Sequence, residues 1–87
     1  MKVVAVGKKE TLIGFMLAGI KRRFETDNPD SALEFLHELE KQNTAFLVVV
    51  ESSLYREIEE EIVEIQARKP SFVFYELLGG RLKWRNK

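Results

Sequence analysis

Apolar residues in this chain fall into runs of two kinds, and the two kinds alternate along the sequence. The continuous runs KVVAV at residues 2–6 and AFLVVV at 45–50 are typical of strands buried on both faces of a sheet. IKRRFE at 20–25 is a weaker, charged strand candidate, and SFVFYEL at 71–77 predicts a last strand. Each pair of neighbouring strands is separated by a segment with the features of a helix.

Three helices are predicted between these strands. The first is TLIGFMLAGI at residues 11–20, which begins with a threonine cap and has no charged residue. The second begins at Pro29, since proline is favoured at the first position of a helix. The third is expected to be a single helix, capped by Ser52 or Ser53 and closed by Pro70.

Alternating strands and helices predict an α/β domain, with a parallel sheet between two layers of helices and right-handed crossovers. The two purely apolar strands should be central and the charged one should lie at an edge. This gives a four-stranded parallel sheet in order 2-1-3-4, a small flavodoxin-like (receiver-like) three-layer fold. We expect one such domain over residues 1–78, followed by a basic tail at 79–87.

The two adjacent glycines at 79–80 indicate a tight turn after the last strand. The tail would then return as an antiparallel strand, with Glu76 opposite Lys83 and Tyr75 opposite Trp84. The alternative is a frayed terminus, as chain ends often are.

Charge is balanced over the whole chain but segregated along it. The 87 residues carry 14 basic and 14 acidic side chains, and twelve of the acids lie within residues 25–64. There is no cysteine, no apolar run of the roughly 18 residues that cross a bilayer, and no signal-peptide pattern. We therefore expect a cytoplasmic location, without membrane insertion. The few basic residues around Trp84 are not enough to predict nucleic-acid binding.

Candidate chemistry is sparse. A doubly wound sheet binds ligands at the carboxyl ends of its strands, where strand order reverses. Gly7, Lys8, Ser52 and Ser53 are therefore the candidates for a small flavin- or phosphate-binding site. The glycine spacing matches neither the phosphate loop nor the dinucleotide motif, and His37 has no evident catalytic partner in the sequence. We expect no catalytic residue, no metal site and no cofactor.

The charge-free helix raises the question of what its second face contacts. Its large side chains cluster on one broad side, and small residues form a narrow stripe: Thr11, Gly14 and Ala18. Two glycines in so short a helix cost about 1 kcal/mol each relative to alanine. Either tight packing on the sheet or a partner helix laid along the stripe would offset that cost.

The segment MKVVAVG…ETLIGFMLAGI resembles the N-terminal signature of the F subunits of archaeal-type and vacuolar-type rotary ATPases. That signature reads T-x-x-G-F-x-L-A-G-[IV], and the matching residues are Thr11, Gly14, Phe15, Leu17, Ala18 and Gly19. The resemblance continues more loosely over residues 1–76. The usual I-P turn of the last strand is absent, because this chain reads YELLGG there.

The resemblance implies a non-catalytic rotor component in the central stalk of a proton- or sodium-translocating ATP synthase. Its partner would be the coiled-coil D subunit of the rotor, with a possible contact to the A and B subunits of the catalytic head and a location peripheral to the membrane. The alternative left open by the residues is a stand-alone receiver-like interaction or regulatory domain that lacks a phosphoacceptor, or a homodimer.

Partner contacts are expected from apolar and aromatic residues that remain outside the core. These are one residue of the third helix, three of the last strand and two of the tail: Val63, Phe72, Phe74, Tyr75, Leu82 and Trp84.

Overall fold

The chain forms one mixed sheet with helices on both faces, and the computed structural model describes residues 1–16 and 19–84. In these residues the strands are β1 (Lys2–Gly7), β2 (Arg23–Glu25), β3 (Phe46–Glu51), β4 (Phe72–Leu78) and β5 (Arg81–Trp84). The helices are α1 (Lys9–Met16), α2 (Pro29–Glu40), α3 (Ser52–Glu57) and α4 (Glu59–Arg68).

The five strands lie in the order β2-β1-β3-β4-β5. The first four are parallel, in the order expected from the sequence, and β5 runs antiparallel to β4. The valine-rich β1 and β3 occupy central positions because both of their faces can be covered by apolar groups. The short, charged β2 lies at one edge, where its polar side chains reach water.

The tail returns as a strand, as the glycine pair predicts. Tyr75 lies opposite Trp84, and Glu76 lies opposite Lys83. Gly79 and Gly80 have φ angles of 57° and 78°, which is the left-handed backbone that a two-residue hairpin turn requires. The sheet therefore has five strands, and the fifth covers the edge of β4.

The two faces of the sheet are covered unequally. One face packs against α2, α3 and α4 around a large core that includes Val4, Val48 and Phe74. On the other face, which we call the open face, a smaller cluster forms beneath α1 around Leu12 and Val49. Among the described residues, α1 is the helix that contributes to this second cluster, so part of the open face is left without a helix above it.

The first helix differs at both ends from its predicted span. It begins at Lys9, so Thr11 lies inside the helix and does not cap it. Gly19 adopts a φ of 95°, a left-handed conformation that typically follows the end of a helix, and Ile20 lies outside the helix as well. Leu17 and Ala18 are outside the described residues.

The predicted third helix is two helices. The helical conformation is interrupted at Ile58, whose φ and ψ of −116° and 18° are not helical. Ser52 is the first residue of α3 and caps nothing. Asn28 does cap α2, because its side chain accepts a hydrogen bond from the backbone of Ser31 at 3.0 Å. No helix within the described residues has both the length and the apolar character needed to cross a bilayer.

Candidate functional site

The carboxyl ends of the strands border a cleft of about 710 Å³ between α1, α3 and the β4–β5 turn. It lies beside the point where strand order reverses, which is the usual ligand position in this kind of sheet. The residues that line it are Lys8, Thr11, Gly14, Glu51, Ser52, Ser53, Arg56, Leu77, Leu78, Gly79 and Gly80.

Glu51 ties the first turn of α1 to the end of β3. One carboxylate oxygen accepts the backbone N–H of Lys8 at 2.7 Å, and the other accepts the hydroxyl of Thr11 at 3.1 Å. The ammonium of Lys8 lies 3.6 Å from the second oxygen. The Glu51 side chain is only 12% exposed, so these contacts replace most of the water that a carboxylate needs.

Gly7 makes room for this carboxylate. A Cβ atom at position 7 would lie 2.7 Å from Glu51 Cβ and 2.8 Å from Glu51 Oε1. These separations are far below van der Waals contact, so a side chain at position 7 would force Glu51 or the backbone to move. Glycine is required here by the close approach of β3.

Glu76 makes the corresponding link between β4 and α3. It is 2% exposed and accepts the hydroxyl of Ser52 at 2.6 Å. The guanidinium of Arg56 approaches the same oxygen at 3.8 Å, from a side chain that is largely in solvent. The serine expected to cap a helix or to bind an anion therefore serves to hold a buried carboxylate.

The predicted phosphate-binding residues are thus engaged by the chain itself. Lys8 contacts Glu51, and Ser52 contacts Glu76. A bound phosphate would lie beside two carboxylates, which disfavours an anion. Sequence reasoning placed Glu76 opposite Lys83 in the hairpin but did not predict that Glu51 and Glu76 would be buried against α1 and α3, although an acid inside or at the end of an apolar strand is a signal for a buried polar partner.

His37 lies on the exposed side of α2, and its Nδ1 is 2.9 Å from Glu40 Oε1. Glu40 also accepts two hydrogen bonds from Arg68, at 3.0 and 3.2 Å, which link the end of α2 to the end of α4. The Arg68 guanidinium, followed by His37, holds the pKa of the Glu40 carboxyl below its ordinary value, although partial burial opposes this. This cluster fastens helices and lies away from the cleft.

Two residues of the predicted partner contact belong to the core. Phe72 and Phe74 are 2% and 0% exposed, so their assignment to a partner surface is wrong. Their side chains point towards the face covered by three helices, and Phe72 packs edge-to-face on Phe46. Strand β4 would lie at the edge of the sheet without β5. Because β5 covers that edge, the β4 side chains on the face with three helices are fully buried.

The other four residues lie on two separate surfaces. Leu82 and Trp84 are exposed on β5 opposite Leu77 and Tyr75, which places them on the open face. Val63 lies on α4, which packs on the opposite face of the sheet. It is surrounded there by acidic residues, which together with Arg56 line a shallow depression: Glu57, Glu59, Glu60, Glu61 and Glu64.

The open face carries further apolar side chains around the small cluster beneath α1, and Leu47 and Tyr75 pack against that cluster. Val3, Leu47 and Val73 form one row across three strands, and Tyr75 is level with Trp84 on the next row. We call this surface the open-face strip and define it by residues that are half-buried or exposed: Val3, Leu47, Val73, Tyr75, Leu82 and Trp84.

The residues of the N-terminal motif have different surroundings. Thr11 binds Glu51, while Gly14 is exposed and a Cβ there would meet no atom within 4 Å. Gly19 provides the left-handed turn after α1. Leu17, Ala18 and the side chain of Phe15 lie outside the part of the chain that the structure describes.

A family model described as ATP synthase (F/14-kDa) subunit matches residues 3–75 of this chain. The F subunit of the A-type ATP synthase of Methanocaldococcus jannaschii is 42% identical over 52 residues, which cover 59% of this chain and 53% of that protein. The chain thus matches about half the length of that relative.

Two further similarities cover more of the chain. The F subunit of the A-type ATP synthase of Methanocorpusculum labreanum is 28% identical over 83 residues, 93% of this chain and 80% of that protein. The solved F subunit of the V-type ATP synthase of Archaeoglobus fulgidus superimposes with a TM-score of 0.50 and 25% identity, covering 82% of this chain and 91% of that one.

Proposed function

This chain belongs to the family of F subunits of A-type and V-type ATP synthases, and from that premise we propose that it is a non-catalytic component of the central rotor stalk. In this role it binds the coiled-coil D subunit and transmits or modulates rotation. It is peripheral to the membrane as part of a complex that couples ATP to the movement of protons or sodium ions.

The observation that carries the binding role is the apolar surface that remains after the chain has folded. Val3, Leu82 and Trp84 are exposed, and they join half-buried residues on one side of the sheet. An apolar patch of this kind usually marks an interaction site. A rigid sheet with such a patch transmits force through packing and needs no chemical step.

The state of the cleft supports a non-catalytic role. Two of the candidate phosphate-binding residues are already engaged, because the Lys8 backbone N–H donates to Glu51 and the Ser52 hydroxyl donates to Glu76. These contacts join α1 and α3 to the sheet, so the polar residues at the usual ligand position act here as structural links between elements.

The test is reconstitution with the coiled-coil partner of the same source. We expect the two purified proteins to form a stable complex on size exclusion with light scattering, and the complete ATPase to lose coupling when this chain is omitted. Failure of the pair to associate would contradict the proposal.

A ligand-binding function is tested in parallel by thermal unfolding with nucleotides or flavins. A ligand that binds the folded state raises Tm in proportion to the logarithm of its concentration. We expect no rise. An increase of several degrees would favour the small-molecule alternative over the rotor role.

A further inference from the structure

We infer that the outer side of β5 is a docking site for an extended segment of another protein, and that this segment alternates acidic with apolar side chains. The segment would join the five-stranded sheet as a further strand beside β5. This inference goes beyond the proposed function and does not depend on it, because a coiled coil is helical whereas the occupant of this site is extended.

Strand β5 has one side that is not paired. It pairs with β4, and no other strand within the described part of the chain lies beside it. All four of its residues are exposed. The opposite edge of the sheet is β2, which has three residues and in which Arg23 already contacts Glu25. Strand β5 is therefore the longer of the two edges at which a strand can be added.

The turn that precedes β5 fixes which of its backbone groups face outward. Both turn glycines have positive φ, and a turn of this type places the residues that flank it, Leu78 and Arg81, in a hydrogen-bonded pair. Opposite residues in an antiparallel ladder alternate between hydrogen-bonded and non-hydrogen-bonded pairs. The backbone N–H and C=O groups of Leu82 and Trp84 therefore point away from β4, towards the position of an added strand.

The side chains of β5 alternate between the two faces of the sheet. Leu82 and Trp84 lie on the open face, and Arg81 and Lys83 lie on the face with three helices. Directly opposite residues of neighbouring strands share a face, with Cβ atoms about 5 Å apart. An added strand would thus place one set of side chains beside a leucine and a tryptophan, and the other set beside two cations.

The charges of the hairpin select acidic side chains in the partner. Strands β4 and β5 contain one acid, Glu76, which is 2% exposed, accepts the hydroxyl of Ser52 and lies 3.8 Å from Arg56. The acids of α4 belong to a helix that packs on β4, so Arg81 and Lys83 are the charged groups directly beside an added strand. Opposite charges across neighbouring strands attract and like charges repel. This edge therefore favours a segment with acids at alternate positions.

Two capped synthetic peptides test the inference. One alternates valine with glutamate over about seven residues, enough to span β5, and the other has lysine in place of each glutamate. We expect the glutamate peptide to bind at least about tenfold more tightly, since the charge contacts with Arg81 and Lys83 change sign between the two peptides. Binding is followed by the emission of Trp84, the single tryptophan of the chain. The preference should weaken as salt rises.

Amide hydrogen exchange measured by NMR reports on the edge directly. In the free protein we expect slow exchange at Arg81 and Lys83, whose N–H groups face β4, and fast exchange at Leu82 and Trp84. The glutamate peptide at saturation should slow exchange at Leu82 and Trp84 by at least about tenfold. Binding without this protection would place the peptide on another surface and would refute the inference.

Two pairs of variants separate the edge from the rest of the surface. L82P removes an outward N–H, whereas L82A shortens the same side chain and keeps the N–H, so L82P should bind the glutamate peptide about fivefold more weakly than L82A. R81E and R22E change the net charge equally, and Arg22 is exposed beside β2 at the opposite edge. R81E should remove most of the preference for glutamate over lysine, and R22E should keep it. Tm and the emission of free Trp84 show whether each hairpin is intact, and the arginine pair decides if L82P loses it.

The remaining outcomes also decide the question. Absence of binding, equal binding of the two peptides, or equal effects of R81E and R22E would show that the cations of β5 do not select a partner, and the inference would be wrong. Protection of Leu82 and Trp84 that grows with protein concentration alone would identify a second copy of this chain as the occupant, which also contradicts it. No coiled-coil partner is present in these assays, so their failure leaves the proposed function untouched.

Discussion

Replacing Gly7 by alanine tests the close contact between β1 and β3 at the rim of the cleft. The added methyl carbon would lie 2.7 Å from Glu51 Cβ and 2.8 Å from Glu51 Oε1. The carboxylate cannot swing away freely, because Lys8 and Thr11 both hold it. We therefore expect the substitution to destabilise the fold.

The magnitude follows from three contributions. Overpacking of a well-filled site costs about 1–3 kcal/mol. Weakening the bond from the Lys8 N–H to the charged Glu51 carboxylate adds about 1 kcal/mol, part of the full value of a charged hydrogen bond. Gly7 is not among the glycines with positive φ, so alanine can adopt the same backbone conformation. Because alanine restricts the unfolded chain more than glycine does, it also offsets about 0.5 kcal/mol of the loss in stability. The net expectation is a loss of about 1.5–3.5 kcal/mol.

Gly14 is the matched control, since it is a glycine of α1 whose Cβ would meet no atom within 4 Å. Alanine there should stabilise the helix by about 1 kcal/mol. Urea unfolding followed by circular dichroism gives both values by linear extrapolation. In a domain of this size, G7A should lower Tm by about 6–28 °C and G14A should raise it by about 4–8 °C.

The opposite signs make the comparison decisive. A G7A variant within about 0.5 kcal/mol of the parent chain, the range of ordinary surface substitutions, would show that β3 yields easily and that the argument from Glu51 is wrong. E51A should not rescue G7A fully, because alanine at 51 keeps the Cβ atom that makes the closest contact.

Two further predictions concern other contacts. Arg68 lowers the pKa of the Glu40 carboxyl below the ordinary 4.5. The folded chain therefore keeps this carboxylate ionised at a pH where the unfolded chain protonates it. The stabilising contribution of the contact is present above pH 4.5 and is lost as pH falls further. E40Q should therefore cost about 0.5–1 kcal/mol at neutral pH, because Arg68 is half in solvent. The difference from the parent chain should shrink as pH falls below 4.5 in urea titrations, and a pH-independent difference would contradict the assignment. At the hairpin, G79A should destabilise the fold by about 1–2 kcal/mol, because residue 79 has a φ of 57°. G79N should cost much less, since asparagine tolerates this conformation. Equal costs for the two variants in urea titrations would refute the turn argument.

The strand pattern made most of the fold predictable. The apolar runs of β1 and β3 indicate strands covered on both faces, and both are central. The glycine pair predicts the turn and hence the register of β5. These features depend on neighbours in sequence, so they can be read from a single chain.

The roles that sequence did not reveal depend on distant contacts. Ser52 looks like a helix cap locally, but its partner Glu76 is 24 residues away. Alternation separates Phe72 and Phe74 from Tyr75, yet it does not say which row faces three helices and which faces one. The face on which each connecting helix packs determines this, and it therefore determines which aromatic residues belong to the core and which remain exposed.

The outer edge of β5 has a consequence for how copies of this chain meet. An edge strand offers unpaired N–H and C=O groups that can template a strand from another molecule. Here the edge strand carries Arg81 and Lys83, both exposed, and the opposite edge is β2, which is only three residues long. Two β5 strands brought side by side would set cations against cations, so growth of a continuous sheet between neighbouring molecules is opposed from the start.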